Sequence, residues 1–164
     1  NKPSTINLYN MTHLKEGDNA PDFTSTLSNG ESVSLSDYAG KKLVLYFYPK
    51  DDTPGCTAEA CSLRDSYSEL RSQGYEILGV SPDPIAKHQK FINKYDLPFD
   101  LLADEDKSVM NAYGVWGPKK FMGREYDGTH RTTFIIDEQN IIIEVISKVK
   151  TKTATQQIKD LLEV

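Results

Sequence analysis

Cysteine is scarce in this chain: Cys56 and Cys61 are the only two among 164 residues. Two thiols are too few for the disulfide framework of a small secreted domain, so a cytoplasmic setting with reducible thiols is expected. Long apolar runs are missing as well. Nothing approaches the roughly 20 residues that cross a bilayer, and no membrane partner is expected. Basic charge is not in excess: 19 Lys and Arg stand against 24 Asp and Glu, a net charge of −5. That balance argues against nucleic acid as the partner, because phosphate binding needs a basic face. His13, His88 and His130 show no ligand spacing to the cysteines, so a zinc site would lack its remaining ligands and no metal is expected. No repeat, linker or low-complexity stretch divides the chain. At 38% hydrophobic and 26% charged residues, it has the size and balance of one soluble globular domain.

Asn1 to Asn10 are polar and hold neither an initiator Met nor an apolar segment, whereas Met11-Thr12-His13-Leu14 reads as a start. Residues 1–12 are therefore set apart as an upstream extension or an expression remnant, and 13–164 as a single domain. A precursor already stripped of its signal is the alternative.

The periodicities describe an α/β chain. Glu31 to Leu35 alternates after the Asn29-Gly30 turn signal and predicts a short strand. Lys42 to Tyr48 (KLVLYFY) is almost continuously apolar, as a central strand covered on both faces must be. Ala60, Leu63, Tyr67 and Leu70 recur at helical spacing and predict a helix from Thr57 to Ser72, stopped by Gly74. Tyr75 to Val80 reads as a second buried strand, and Ser81-Pro82-Asp83-Pro84 starts a helix running to Tyr95. A strand near Phe99 to Ala103 and a helix reaching Tyr113 follow. Arg131 to Asp137 and Asn140 to Ser147 predict an antiparallel hairpin, and Thr153 to Glu163 a closing amphipathic helix. The order matches a thioredoxin-like fold, with a central mixed β-sheet flanked by helices.

The two cysteines fall where a strand hands over to a helix, in Pro49-Lys50-Asp51-Asp52-Thr53-Pro54-Gly55-Cys56-Thr57-Ala58-Glu59-Ala60-Cys61. The thiolate is the reactive form, and a helix N-terminus favours negative charge through its free N–H groups and dipole. A thiol at an ordinary pKa near 8.5 is only about 3% ionised at pH 7, whereas one lowered to about 6 is roughly 90% ionised. Thr53 falls at the N-cap, where its hydroxyl could bond a free N–H, and Pro54 suits the first helical position. Glu59 opposes a thiolate, so sequence leaves the electrostatic balance open. Residues five apart in a regular helix are separated by about 7.5 Å along the axis and have Cα atoms about 8.7 Å apart. A disulfide needs about 4.4–6.8 Å. If the pair bonds, the first turns of the helix must therefore unwind. Without further context, two small buried hydrophobes are the more usual reading of such a pair.

Further context comes from Pro49, Thr53 and Cys56, which reproduce the P-x-x-x-[T/S]-x-x-C pattern of peroxiredoxins. The longer string from Tyr46 to Cys61 resembles the bacterioferritin comigratory protein, or peroxiredoxin Q, branch. Gly17-Asp18-x-Ala20-Pro21-Asp22-Phe23 and Arg131-Thr132-Thr133-Phe134-Ile135-Ile136-Asp137 extend the match. The resemblance implies that Cys56 is the peroxidatic nucleophile and Cys61 the resolving thiol, joined in an intramolecular disulfide that thioredoxin reduces. It implies that the Gly55 and Cys56 backbone N–H groups, the Thr53 hydroxyl and Arg131 bind the peroxide, that Arg131 also holds the thiolate, and that Pro49 shields the pocket. It implies hydroperoxide substrates, no metal or organic cofactor, and a monomer, with a dimer through edge contacts as the alternative.

Glu59 either orients Arg131 or is a solvated helix residue. Trp116 borders the substrate entrance or simply packs, and Asp51 and Asp52 belong to the active-site loop or are turn residues. Two other functions remain in view. A general thiol–disulfide oxidoreductase would work without peroxide, although the spacing is not C-x-x-C. A redox-responsive binding or chaperone module would need no role for Thr53 or Arg131.

Overall fold

Alternation along one strand organises the whole molecule. In Lys42–Phe47, Leu43, Leu45 and Phe47 face one hydrophobic core and Val44 and Tyr46 the other. Both sides of this strand are therefore buried, which is why its sequence reads as a continuous apolar run. The computed structural model describes residues 12–163. Its strands are β1 (Thr24–Leu27), β2 (Ser32–Ser34), β3 (Lys42–Phe47), β4 (Tyr75–Ser81), β5 (Asp100–Ala103), β6 (Trp116–Phe121), β7 (Arg124–Thr129), β8 (Thr132–Ile136) and β9 (Ile142–Ile146). Its helices are α1 (Pro54–Asp65), α2 (Tyr67–Ser72), α3 (Ile85–Tyr95), α4 (Ser108–Ala112) and α5 (Ala154–Leu162).

Seven strands form a mixed sheet in the order β2-β1-β5-β4-β3-β8-β9. β3 pairs in parallel with β4, and β4 with β5, while β8 runs antiparallel to β3 and to β9. The mixed sheet flanked by helices matches the thioredoxin-like expectation. The face bearing Val44 and Tyr46 is covered by Cys56, Ala60 and Leu63 of α1, Phe91 of α3 and Ile158 of α5. The opposite face packs Val109 and Met110 of α4, with Tyr113, against Leu45, Phe47 and Phe134.

Three local expectations need correction. The helix expected from Thr57 to Ser72 is two helices, broken at Ser66, which caps both with φ −113° and ψ 8°. The strand expected from Glu31 to Leu35 is only three residues long and passes at Leu35 into a 3-10 turn. Sequence periodicity marks no strand between Trp116 and Thr129, yet β6 and β7 form a separate two-stranded ribbon there. The ribbon adds little to either core, so burial never imposed an alternating pattern on it. Its turn places Met122 and Gly123 at φ 53° and 80°, and only the glycine signals such a turn in sequence.

Of the expected N-terminal extension, only Thr12 lies among the described residues; its hydroxyl donates to the Tyr113 carbonyl at 2.7 Å. Trp116 is half-buried against the core on the α4 side of the sheet, with Lys107 Nζ 5.2 Å from the centroid of its ring. Packing accounts for it.

Candidate active site

β3 delivers the chain to the site. Tyr48 N–H continues the ladder by donating to the Val80 carbonyl at 3.0 Å. Pro49, which has no N–H to offer, starts a loop and is half-buried. The loop turns at Asp52, a non-glycine residue at φ 58°. Asp52 is held there by Lys94 Nζ and Tyr95 Oη, each 2.9 Å from its carboxylate. Thr53 is then the N-cap residue of α1, with Pro54 first inside. The Thr53 side chain does not cap, contrary to expectation. Its hydroxyl donates instead to the Lys50 carbonyl at 2.8 Å. That commits its proton, so toward any ligand Thr53 Oγ1 presents acceptor lone pairs.

α1 is continuous from Pro54 to Asp65, so Cys56 and Cys61 share one intact helix, both as free thiols. Cys56 sits in the first turn, 1% exposed, in the core beneath Tyr46 and Tyr48. Cys61 is half-buried further along. The helix geometry that separates their Cα atoms by about 8.7 Å therefore applies.

The buried stripe of α1 is Cys56, Glu59, Ala60 and Leu63, positions i, i+3, i+4 and i+7, so Glu59 faces inward with the thiol. Its side chain is 1% exposed. The group that meets it is Arg131, immediately before β8. Arg131 Nη1 donates to Glu59 Oε1 at 2.7 Å, and Nη2 donates to Cys56 Sγ at 3.3 Å. One planar guanidinium thus bridges carboxylate and sulfur, and holding one nitrogen aims the other. Gly55 lies beside it: a Cβ there would stand 3.4 Å from Arg131 Nη2 and 3.9 Å from Thr151 Cγ2, in ordinary van der Waals contact.

Burial pushes the Glu59 carboxyl up to about 7, with Arg131 pulling the other way through charge and hydrogen bond. For Arg131, burial works against the charge, but Cys56 and then Glu59 outweigh it and hold the guanidinium above its ordinary value. Glu59 Oε2 and the Tyr46 hydroxyl are buried without a protein partner. Among the described residues, no three His, Cys, Asp or Glu side chains cluster closely enough to hold a metal ion.

The structure thus brings together Cys56, Gly55, Arg131 and Glu59, with Thr53 at the same helix start and Pro49 at the head of the loop. Sequence reasoning missed the buried supports beneath that loop. Tyr48 Oη donates to Asp51 Oδ1 at 2.5 Å, and His88 Nδ1 lies 2.7 Å from Asp51 Oδ2. The signal for His88 was its place in α3. It shares an apolar stripe with Phe91, Ile92 and Tyr95, and an inward histidine needs partners.

The arrangement is a buried thiol at a helix N-terminus with a cation on its sulfur. Comparisons with known proteins identify the family. A family model described as the AhpC/TSA family matches residues 16–145. The chain is 48% identical over 154 residues to Peroxiredoxin Bcp of Bacillus subtilis, covering 92% of this chain and 98% of that one. A Xylella fastidiosa PrxQ mutant superposes with a TM-score of 0.86 at 30% identity, covering 93% and 97% of the two chains. A Xanthomonas campestris bacterioferritin comigratory protein, solved in a study of its alkyl peroxide reduction activity, superposes with a TM-score of 0.81. It is 33% identical, with 86% and 90% of the two chains covered.

Proposed function

The chain belongs to the AhpC/TSA family as a Bcp-type peroxiredoxin, an antioxidant peroxidase, and on that premise we propose that Cys56 is its peroxidatic nucleophile and Cys61 its resolving thiol. The observation that carries this reading is the 3.3 Å hydrogen bond from Arg131 Nη2 to Cys56 Sγ at the N-terminus of α1. The guanidinium and the free N–H groups of the first helical turn set positive charge beside the sulfur that attacks.

The thiolate attacks the terminal oxygen of a hydroperoxide. An S–O bond forms, the O–O bond breaks, and the departing alkoxide or hydroxide takes a proton to leave as alcohol or water. The product on the enzyme is Cys56 sulfenic acid. Negative charge grows on the departing oxygen in the transition state, where Arg131 and the free N–H groups of the first helical turn act as donors. Thr53 Oγ1, its own proton committed to Lys50, accepts the O–H of the incoming peroxide and turns the attacked oxygen toward sulfur. Glu59 fixes the guanidinium in register with Sγ, and Pro49 shields the pocket at the loop's start.

Resolution follows when the Cys61 thiol attacks the sulfenic sulfur, forming the Cys56–Cys61 disulfide and releasing water. Because both residues lie in one helix, the first turns of α1 unwind for this step. Peroxiredoxins return to the dithiol through a thiol reductant, and here thioredoxin is proposed, with a cytoplasmic setting and a monomeric unit spanning 13–164. No helix among the described residues is long and apolar enough to cross a membrane. The Xanthomonas homologue's alkyl peroxide reduction supports organic hydroperoxides as substrates alongside hydrogen peroxide.

The test is peroxide-dependent NADPH oxidation through thioredoxin and its reductase, in wild type, Cys56→Ser and Cys61→Ser. Cys56→Ser is expected to be inactive. Cys61→Ser is expected to consume about one equivalent of peroxide and then stop. Full turnover in Cys56→Ser would overturn the assignment. Sustained thioredoxin-supported turnover in Cys61→Ser would remove Cys61 from the cycle.

A further inference from the structure

The loop that presents Thr53 and Cys56 rests on a buried polar cluster whose hydrogen bonds do not include the Cys56 sulfur. Asp51 is its centre. Its backbone N–H donates to Asp83 Oδ2 at 2.7 Å, and that carboxylate oxygen also accepts from Ser81 Oγ at 2.8 Å. Its own carboxylate accepts from Tyr48 Oη and faces His88 Nδ1. On its other side His88 Nε2 meets the Leu102 carbonyl at 3.0 Å. Tyr48, Ser81 and His88 are fully buried, and Asp51 and Asp83 are 7% exposed.

Hydrogen-bond logic determines how this cluster is wired. A carbonyl only accepts, so His88 Nε2 must carry a hydrogen. The line between His88 Nδ1 and Asp51 Oδ2 then holds one proton, on either the imidazole or the carboxyl group. In both arrangements every polar atom along Leu102, His88, Asp51 and Tyr48 is satisfied and the pair has no net charge. Removing either side chain leaves a buried partner unpaired.

The cluster has a single mechanical output. Asp51 is followed by Asp52, held in its left-handed conformation by Lys94 and Tyr95. Next is Thr53, whose carbonyl receives the Thr57 N–H at 2.8 Å as α1 begins. Three residues of α3, namely His88, Lys94 and Tyr95, thus grip two successive loop residues just before the peroxide-binding turn. The grip of His88 is the buried one. The outer two are at the surface, where a hydrogen-bonded ion pair holds little on its own.

We propose that His88 is a positioning residue for the peroxidase reaction, acting through Asp51 to hold Thr53 and the first-turn N–H groups of α1 in register with Cys56 Sγ. The inference rests on the peroxidatic reading of Cys56. With His88 in place, the donors and acceptor around the peroxide are preorganised. Without it the loop relaxes, and a displacement on the order of 1 Å can cost about a hundredfold in rate.

The experiment compares two reactions of Cys56 in the reduced Cys61→Ser protein. Reaction with hydrogen peroxide depends on all the surrounding groups, whereas alkylation by iodoacetamide reports mainly on the thiolate and its exposure. His88→Leu and Asp51→Ala are expected to slow the peroxide reaction by about 10- to 100-fold and alkylation by less than about threefold. Asp51→Asn restores every bond, since its Oδ1 still accepts from Tyr48 and its Nδ2 donates to a neutral His88 Nδ1. It is expected within about threefold of the parent in both reactions. Should His88→Leu fail to fold, Tyr48→Phe removes one bond and no charge, and is expected to slow the peroxide reaction alone by about threefold or more.

An unchanged peroxide rate in His88→Leu would overturn the proposal. So would equal losses in both reactions, which would mean general loosening, or an Asp51→Asn variant as slow as Asp51→Ala. A parent reacting with peroxide no faster than free cysteine would overturn the peroxidatic reading itself, and this proposal with it.

Discussion

Glu59→Gln tests the electrostatics of the site most directly. Burial raises the Glu59 carboxyl from 4.5 to about 7 in the folded protein. Between those two values the folded chain holds a proton that the unfolded chain has released, so stability falls as pH rises through this interval and levels off above about pH 7. A shift of some 2.5 units at 1.36 kcal/mol each makes the loss about 3 kcal/mol. Glutamine keeps an oxygen for Arg131 Nη1 but cannot ionise. Its own effect on packing or hydrogen bonding is a constant offset, and only the slope carries the information. The assay is urea unfolding of reduced wild type and Glu59→Gln at several pH values from 4.5 to 8. The stability difference, variant minus wild type, is expected to become more positive by about 3 kcal/mol across that range. Parallel curves would refute the reasoning and mean that the Arg131 contact fully compensates the buried charge.

Three further outcomes follow from contacts within the fold. Arg131→Met removes the guanidinium that donates to Cys56 Sγ, and the second-order rate constant for peroxide is expected to fall by about a hundredfold or more in stopped flow. Thr155→Val breaks the tie between α1 and α5, in which Thr155 Oγ1 donates to the Ser62 carbonyl at 2.8 Å and its N–H to Ser62 Oγ at 3.1 Å. Losing the hydroxyl bond is expected to cost about 1–3 kcal/mol in urea unfolding and to speed hydrogen exchange in α1. Gly79→Ala would put a Cβ 2.8 Å from both Leu101 Cδ2 and Tyr46 Cζ; a loss of about 1–3 kcal/mol is expected, with calorimetry as the check.

Much of the fold was legible because burial writes periodicity into sequence. KLVLYFY declared β3, and the run before Asp137 declared β8, since both lie deep in the sheet. The β6–β7 ribbon was not legible for the opposite reason: Lys119, Lys120, Glu125 and Asp127 answer to no core. The break at Ser66 was hidden because Tyr67 and Leu70 happen to continue the apolar spacing across it.

At the site, Cys56 and Arg131 were found through motifs. Glu59 was named from sequence with two readings, an Arg131 partner or a solvated helix residue, and its place in the buried i, i+3, i+4, i+7 stripe of α1 decides for the first. The Asp51–His88 contact links positions 37 apart in sequence, and only the packing of α3 beneath the loop joins them. Thr53 shows the limit of a motif. Its position was readable, but the direction of its hydroxyl depends on where the Lys50 carbonyl points.

The unbroken course of α1 has a consequence for redox poise. The dithiol form owns this helix, with its anchors at Asp51 and Ser62, and the proposed disulfide form must give part of it up. Whatever strengthens α1 therefore favours the dithiol and makes the disulfide the stronger oxidant. For a two-electron couple, each 1.4 kcal/mol of added helix stability raises the reduction potential by about 30 mV. Substitutions far from either sulfur, on the face that α1 shares with α5, would then tune how readily a reductant recharges the protein.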